Sequence, residues 1–287
     1  MTQQDVWTNL KVLNWTKEFL AAKGVENSRL EAEWLLCAAT GLDRVGLYLQ
    51  FDKPLNDNEL SSYRDMVARR ARREPLQHIL GTQEFYGLDF EVSADVLIPR
   101  HDTEVLIEQA LALVPNAGSI LDIGTGSGCI AVSLAVQFPN AIVTATDISV
   151  TALDVARRNI EKHNIVVETL LGSLFEPLKN RSFDLIVSNP PYIPTAVIAE
   201  LAPEVRDFDP YGALDGGKDG LDIYRLLIPE AYSYLNTAGW LLLEVGSGQA
   251  ADVTGIFNDA GGYEKPVTAF DPGGIERVVA AQRKDNQ

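Results

Sequence analysis

From residue 102 onward, strand-length apolar runs alternate with helix-length segments, and no other feature narrows the possible folds as far. A helical pattern at 102–113 precedes a strand at 119–123, a Gly-rich turn and a helix from about 127 to 137. A strand at 141–146, a helix from 149 to about 163 and strands at 165–170 and 183–188 follow. After an irregular stretch to about 220 come a helix at about 221–235, a strand at 240–245 and a helix near 248–260. Two strands close the chain, at about 264–269 and 275–282. Such alternation builds a mostly parallel sheet with helices on both faces. The last two strands have no helix between them and predict an antiparallel edge. The expectation is an α/β fold with a seven-stranded sheet.

The chain ahead of this alternation reads differently. Val6, Leu10, Leu13 and Leu20 fall on one helical face. Ser28 and Glu31 have the spacing of a capping box ahead of Leu30, Trp34, Leu35 and Ala38, and Gly41 is the stop signal. Asn56 and Glu59 repeat the device before Leu60, Tyr63 and Val67. Arg69, Arg70, Arg72 and Arg73 then read as a solvated helix face. At 88–92 the period becomes two: Leu88, Phe90 and Val92 alternate with Asp89 and Glu91. Ser93-Ala94-Asp95 then turns the chain into Val96-Leu97-Ile98, a hairpin pattern. The expected organisation is an all-helical domain over 1–75, a β-hairpin linker over 76–98 and the α/β domain over 99–287.

Composition removes several classes of function. Of 287 residues, 46% are hydrophobic and 22% charged, the balance of a globular protein and not of a disordered one. No run approaches the ~18 apolar residues of a membrane span. The opening MTQQDVWTNL has no basic stretch followed by an apolar run, so no secretory signal is expected. Cys37 and Cys129 form no metal-type pair, the usage of a reduced compartment, and a cytoplasmic location is expected. The net charge of −16 is unevenly placed. Residues 1–80 hold 11 Lys/Arg and 11 Asp/Glu, whereas residues 81–287 hold 13 against 29. A surface of that sign repels a phosphate backbone, which weighs against direct binding of nucleic acid.

Leu121-Asp122-Ile123-Gly124-Thr125-Gly126-Ser127-Gly128 follows a strand and opens a helix. Glycines there let the backbone approach a ligand at the carboxyl end of the strands. A dinucleotide fingerprint would need Gly or Ala at position 129, where this chain has Cys129. A phosphate loop would need Gly-Lys-Ser/Thr, which is absent. The G-x-G-x-G spacing, with no Lys or Arg near it, suits a ligand without a pyrophosphate. Asp147 ends the next strand, 19 residues beyond Gly128, where a carboxylate can accept both hydroxyls of a ribose. Together these resemble the S-adenosylmethionine site of class I methyltransferases, whose Rossmann-like sheet is the expected fold.

The second informative stretch is Phe183-Asp184-Leu185-Ile186-Val187-Ser188-Asn189-Pro190-Pro191-Tyr192. Two prolines stiffen the turn at the strand's carboxyl end. Asn189 offers an amide oxygen, Pro190 its carbonyl, and Tyr192 a flat wall. These parts suit holding a planar –NH2 group between two acceptors. An amide or aryl –NH2 is a poor nucleophile, and acceptors aimed at its hydrogens favour the pyramidal nitrogen of the transition state. The chemistry calls for no metal, and His78, His101 and His163 make no ligand pattern.

The chain resembles the release-factor glutamine methyltransferases (the PrmC/HemK family) over essentially its full length. The segments 73–81 (Arg-Glu-Pro-Leu-Gln-His-Ile-Leu-Gly) and 84–88 (Glu-Phe-Tyr-Gly-Leu) look like that family's interdomain junction. Leu97-Ile98-Pro99-Arg100 with Asp102-Thr103-Glu104 looks like its approach to the cofactor site. Glu204-Val205-Arg206-Asp207-Phe208, Leu214-Asp215-Gly216-Gly217 and Asp219-Gly220-Leu221 match its loop after the Asn-Pro-Pro-Tyr turn. The resemblance implies transfer of a methyl group from S-adenosylmethionine to N5 of the glutamine in the Gly-Gly-Gln motif of class I peptide-chain release factors. S-adenosylhomocysteine is the product, and the release factors are the partners. By position, Gly124, Thr125, Gly126, Ser127 and Gly128 would line the cofactor with Asp147 on the ribose, Leu174 by the adenine, and Asn189 at both cofactor and substrate. Asn189, Pro190 and Tyr192 would be catalytic, with Pro191 helping to shape the glutamine slot. His101 departs from the family's usual proline, and Ser173 stands where an acid often meets the adenine amino group.

Two other classes compete. The Asn-Pro-Pro-Tyr turn also serves methyltransferases acting on adenine N6 of DNA or RNA, and a catalytically silent S-adenosylmethionine-binding scaffold would keep the fold. The acidic sheet domain speaks against the first, and the intact Asn189 and loop glycines against the second. Under the leading reading the helical domain and Arg69–Arg73 contribute to the docking surface for the protein substrate.

Overall fold

The computed structural model describes residues 6–285, so Met1–Asp5, part of the stretch read for a signal, lie outside it. In chain order the elements are α1 (Asn9–Ala22), α2 (Ser28–Thr40), α3 (Arg44–Leu49), α4 (Asp57–Ala71), α5 (Leu76–Leu80), β1 (Thr82–Phe85) and β2 (Leu88–Glu91). Then come α6 (Glu104–Leu113), β3 (Ser119–Ile123), α7 (Cys129–Gln137), β4 (Ile142–Asp147), α8 (Val150–Lys162), β5 (Glu168–Leu171) and β6 (Phe183–Ser188). The rest is α9 (Pro203–Arg206), α10 (Tyr211–Leu214), α11 (Asp222–Ala231), β7 (Leu235–Glu244), α12 (Ala250–Ala260), β8 (Val267–Phe270) and β9 (Glu276–Gln282). No helix among the described residues is long and apolar enough to cross a membrane. The chain divides into two compact units, one running to Gly81 and including Ala202–Phe208, the other Thr82–Leu201 with the chain from Asp209 on.

The helical unit is built on Val12, Leu13, Leu20, Ala32, Leu35, Leu36, Leu47, Tyr63, Val67 and Ile79. Val6, Leu10, Leu30 and Trp34, assigned to inward faces from the sequence, are exposed instead. The capping box at Asn56 is present in both directions, Asn56 Oδ1 accepting from Glu59 N at 2.9 Å and Glu59 Oε2 from Asn56 N at 2.8 Å. The one expected at Ser28 is not: Asn27 caps α2 without a side-chain bond. Glu31 is drawn away by Arg70, which holds both of its carboxylate oxygens.

That bond corrects the reading of the arginine cluster. Arg70, with a side chain only 5% exposed, spans Glu31 and Glu204, the latter at 2.9 Å. Arg73 grips Glu204 through two nitrogens at 2.7 Å and donates to Gly24 O. Arg69 pairs with Glu74, which leaves Arg72 as the exposed member. Removing a well-buried cation strands its partners' charge, which typically costs about 3 kcal/mol or more. Arg70→Ala should therefore lower the urea midpoint of the helical unit, followed by the fluorescence of Trp7, Trp15 and Trp34. An unchanged midpoint would show the pairs to be idle.

The hairpin lies one strand earlier than expected. Thr82–Phe85 pairs antiparallel with Leu88–Glu91, and the turn is Tyr86-Gly87, both at positive φ (51° and 73°). Two positive φ values in a two-residue loop match the strand twist, whereas 96–98 forms no strand. The hairpin also counts with the sheet unit, so the units part at Gly81 and not at 75 and 98. Asn159 of α8 accounts for this. Its side chain accepts from Glu91 N (2.7 Å) and donates to Glu91 O (3.0 Å) and to Ser127 O (2.8 Å), bonding β2 and the Gly-rich loop to one helix.

The seven strands of the main sheet run β5-β4-β3-β6-β7-β9-β8. All neighbours are parallel except β7·β9 and β9·β8, so the antiparallel edge is where the missing helix placed it. Strand alternation sends Ile120, Val143, Leu185, Val187 and Leu242 into one core. Leu121, Ile123, Ile186, Leu241 and Leu243 go to the other, with α11 and α12 packed against it. The chain leaves β3 toward β4 and β5, then returns to β6 on β3's other side. This reversal opens a crevice at the strands' carboxyl ends.

Candidate active site

Four adjacent parallel strands deliver the site residues to that one edge. Asp147 ends β4, the Gly-rich loop follows β3, Asn189 follows β6 and Glu244 ends β7. The loop is held by Gly124 N and Thr125 N donating to Thr146 O (2.9 and 3.0 Å). Gly124, Gly126 and Gly128 all have positive φ (72°, 55° and 81°). Side chains added at Gly124 or Gly126 would meet nothing within 4 Å, so the loop's outer face is open. At Gly128 a Cβ would lie 3.1 Å from Ala156 Cβ, which is how closely α7 approaches α8. Thr125 and Ser127 are buried within the turn.

The acids beside the loop differ in environment. Asp147 Oδ2 accepts from Gly126 N and Oδ1 from Ser149 N, each at 2.9 Å. Every carboxylate oxygen has a further lone pair for a ligand hydroxyl. Asp122 is fully buried beneath the loop and its Oδ2 accepts from Thr125 Oγ1 at 2.6 Å. Burial pushes its pKa up to about 7, and its Oδ1 has no hydrogen-bond partner. Neither Asp122 nor Asn159 was singled out from the sequence; the tight strand-to-loop junction at Asp122 was the available signal.

Farther along the edge a cavity of about 780 Å³ is lined by Ile148, Leu171, Gly172, Ser173, Glu176 and Pro177, with Lys179 and Arg181. Ile148 is 75% exposed and Leu171 53%, so two apolar side chains stand uncovered in it. Leu174 does not line this cavity. It sits at φ 47° and packs on the core that includes Phe175. Ser173 N lies 3.4 Å from Glu176 Oε2, a carboxylate near the position where an acid was missing.

The Asn-Pro-Pro-Tyr turn is braced from several directions. Ser188 Oγ donates to Ile123 O at 2.7 Å, tying the end of β6 to β3. Ile193 exchanges backbone bonds with Leu214 O and Gly216 N. Gly216 must lack a side chain, because a Cβ there would sit 2.8 Å from Pro191 O and Tyr192 Cα. Gln249 Nε2 donates to Tyr192 O at 2.9 Å. Asn189 Nδ2 donates to Thr103 Oγ1 at 3.3 Å, which leaves Oδ1 as the uncommitted acceptor. Pro190 is buried and Pro191 half-buried. Tyr192 donates its hydroxyl to Glu244 Oε1 at 3.5 Å, and burial pushes its pKa up to about 12, so it stays protonated.

No metal was expected. Among the described residues one group, Glu84, His101 and Glu104, brings three potential ligand atoms within 4.8 Å of one another. Its atoms already serve the hairpin: Glu104 Oε1 accepts from Tyr86 N and meets His101 Nδ1, and Glu84 Oε1 accepts from Gly87 N. His163 caps α8, its Nε2 3.0 Å from Asp89 O.

Residues 11–81 match the model of the PrmC N-terminal domain, and residues 101–202 that of the methyltransferase small domain. A release factor glutamine methyltransferase of Geobacter sulfurreducens is 60% identical over 283 residues, covering 98% of this chain and 99% of that one. The chain belongs to the release factor glutamine methyltransferase family. A relative of the same name from Moorella thermoacetica is 44% identical, covering 93% of this chain and 95% of its own. Among solved structures, a methyltransferase from Pyrococcus furiosus superposes with a TM-score of 0.55 at 25% identity, over 76% of this chain and 99% of that chain. Members of the family are S-adenosylmethionine-dependent methyltransferases, and the residues present fit that cofactor. The open face over Gly124 and Gly126, with Asp147 beside it carrying lone pairs to spare, would form a cradle with acceptors for the ribose hydroxyls, and Asp122 lies buried beneath it.

Proposed function

We propose that the protein transfers a methyl group from S-adenosylmethionine to the side-chain N5 of the glutamine in the Gly-Gly-Gln motif of class I peptide-chain release factors. The observation that carries this reading is the Asn189 amide, whose Nδ2 is engaged by Thr103 so that Oδ1 is left as an uncommitted acceptor beside the stiff Pro190-Pro191 turn. S-adenosylmethionine supplies, when bound, a methyl group already activated on a sulfonium. Asn189 Oδ1 and the Pro190 carbonyl accept the two hydrogens of the substrate –NH2. Those hydrogens become more acidic as the nitrogen turns pyramidal, so both bonds strengthen in the transition state, where they lower the barrier. The rigid turn fixes the nitrogen in line with the methyl group and removes the entropy cost of finding that geometry. Pro191 and the Tyr192 ring close the slot. Ile148 and Leu171, both exposed, offer apolar walls for the adenine, and the half-buried Leu174 follows them in the chain.

The helical unit is the proposed docking platform for the protein substrate. Its arginine cluster contributes mainly internal pairs, so the exposed Arg72 is the residue whose reversal to Glu tests docking without loss of fold. A threefold or larger rise in KM for the release factor, with S-adenosylmethionine affinity unchanged, supports the platform, and unchanged kinetics reject it. The charge of the sheet domain favours a protein over a nucleic-acid substrate, and a release-factor substrate agrees with a cytoplasmic location. With label from S-adenosylmethionine and an equimolar mixture of release factor, adenine-containing RNA and DNA, the label should enter the protein alone. Label in nucleic acid would replace this reading by the adenine one.

A further inference from the structure

Behind the acceptor turn stands a carboxylate that neither the cofactor cradle nor the glutamine slot uses. Glu244, at the end of β7, is 2% exposed. Its Oε1 takes the Tyr192 hydroxyl at 3.5 Å, while Oε2 is buried with no partner. The Thr103 hydroxyl lies beside this carboxylate and favours its ionised form. Thr103 is also buried and is the acceptor of the Asn189 Nδ2 hydrogen. One acid therefore backs two of the side chains that shape the slot. The charged groups facing it are Arg277, which favours ionisation, and Asp102, which opposes it. Arg277 is itself held by Asp102 (2.8 Å) and Asp271 (2.9 Å).

We infer that Glu244 is a positioning residue that sets the polarity of the Asn189 amide through Thr103. Ionised Glu244 attracts the Thr103 hydroxyl proton. Thr103 Oγ1 must then act as acceptor toward Asn189, so Nδ2 turns inward and Oδ1 outward. An –NH2 substrate needs that orientation, since a flipped amide would present hydrogens to hydrogens. Protonating Glu244 removes the pull on the Thr103 proton and releases the amide. Burial pushes the Glu244 carboxyl up to about 7, so the relay falls within reach of ordinary assay conditions. Activity should be lost as pH falls through that region, because the ionised form is the productive one. The inference rests on the methyltransfer reading for its kinetic consequence, but its geometry stands apart from the substrate.

The test uses the full chain, with Thr103→Val, Thr103→Ser and Glu244→Gln. Thr103→Val keeps the shape and removes the acceptor, and kcat for release-factor methylation should fall about tenfold or more with S-adenosylmethionine affinity unchanged. Thr103→Ser should recover most of that loss. Glu244→Gln should abolish the acid limb near 7 in kcat read at saturating S-adenosylmethionine, where Asp122 beneath the cofactor loop, which also titrates near 7, does not enter through cofactor binding. A retained limb, or a Thr103→Val enzyme as fast as wild type, overturns the inference. A second readout is the Asn189 side-chain amide resonance, assigned by its disappearance in Asn189→Ala. Its hydrogen exchange should accelerate in Thr103→Val, and unchanged exchange overturns the inference too. Wild-type protein that leaves the release factor unmethylated overturns the functional reading alone, and the amide resonance then decides the relay.

Discussion

Asn189→Ala is expected to lower kcat for release-factor methylation by about a hundred- to a thousandfold, the usual effect of deleting one preorganised hydrogen-bond partner of a transition state. The loss should fall on kcat because the bond to the substrate –NH2 strengthens as the nitrogen turns pyramidal. The fold should survive, since the side chain's one bond among the described residues is to Thr103 Oγ1 and the turn is held by Ser188, Ile193 and Gln249. Calorimetric titration should show S-adenosylmethionine affinity within a few-fold of wild type. Turnover near the wild-type rate would remove Asn189 from the mechanism. A collapse of cofactor affinity would make it a cofactor ligand first.

Asp147→Ala should act on the other half of the site, weakening S-adenosylmethionine by about a hundredfold. Hydrogen bonds to a charged acceptor contribute ~1.5–3 kcal/mol each when made by a ligand, and a ribose offers two hydroxyls. The same substitution strips Gly126 N of its acceptor, so the loop loses one of its fixed points. Glu244 and Thr103 are untouched, so the acid limb of the pH profile should persist at saturating cofactor. An unchanged dissociation constant would show that the ribose is held elsewhere.

Much of this site was legible before the structure because its signals are local. A Gly-rich turn between strand and helix, an acid at the end of the next strand and a proline-stiffened turn each declare themselves within a few residues. The parallel sheet brings them together without further instruction. The order of the closing strands followed from a missing helix. What stayed hidden depends on pairs distant in sequence. Arg70 looked like part of a solvated run because Glu31 and Glu204 lie 39 and 134 residues away. Asn159 looked like an ordinary helix residue, although it joins β2 to the Gly-rich loop. Glu244 looked like the last residue of a strand, and only the register β3-β6-β7 carries it behind Asn189. The hairpin was displaced because alternation at 88–92 drew attention downstream, whereas Tyr86-Gly87 carries the turn chemistry.

The most direct measurement is peptide mass spectrometry of a purified class I release factor after incubation with this protein and S-adenosylmethionine, beside a factor whose Gly-Gly-Gln glutamine is replaced. A single added methyl group on the side-chain nitrogen of that glutamine, absent from the replaced factor, is the expected result. A methyl group elsewhere, or equal labelling of both factors, would contradict it.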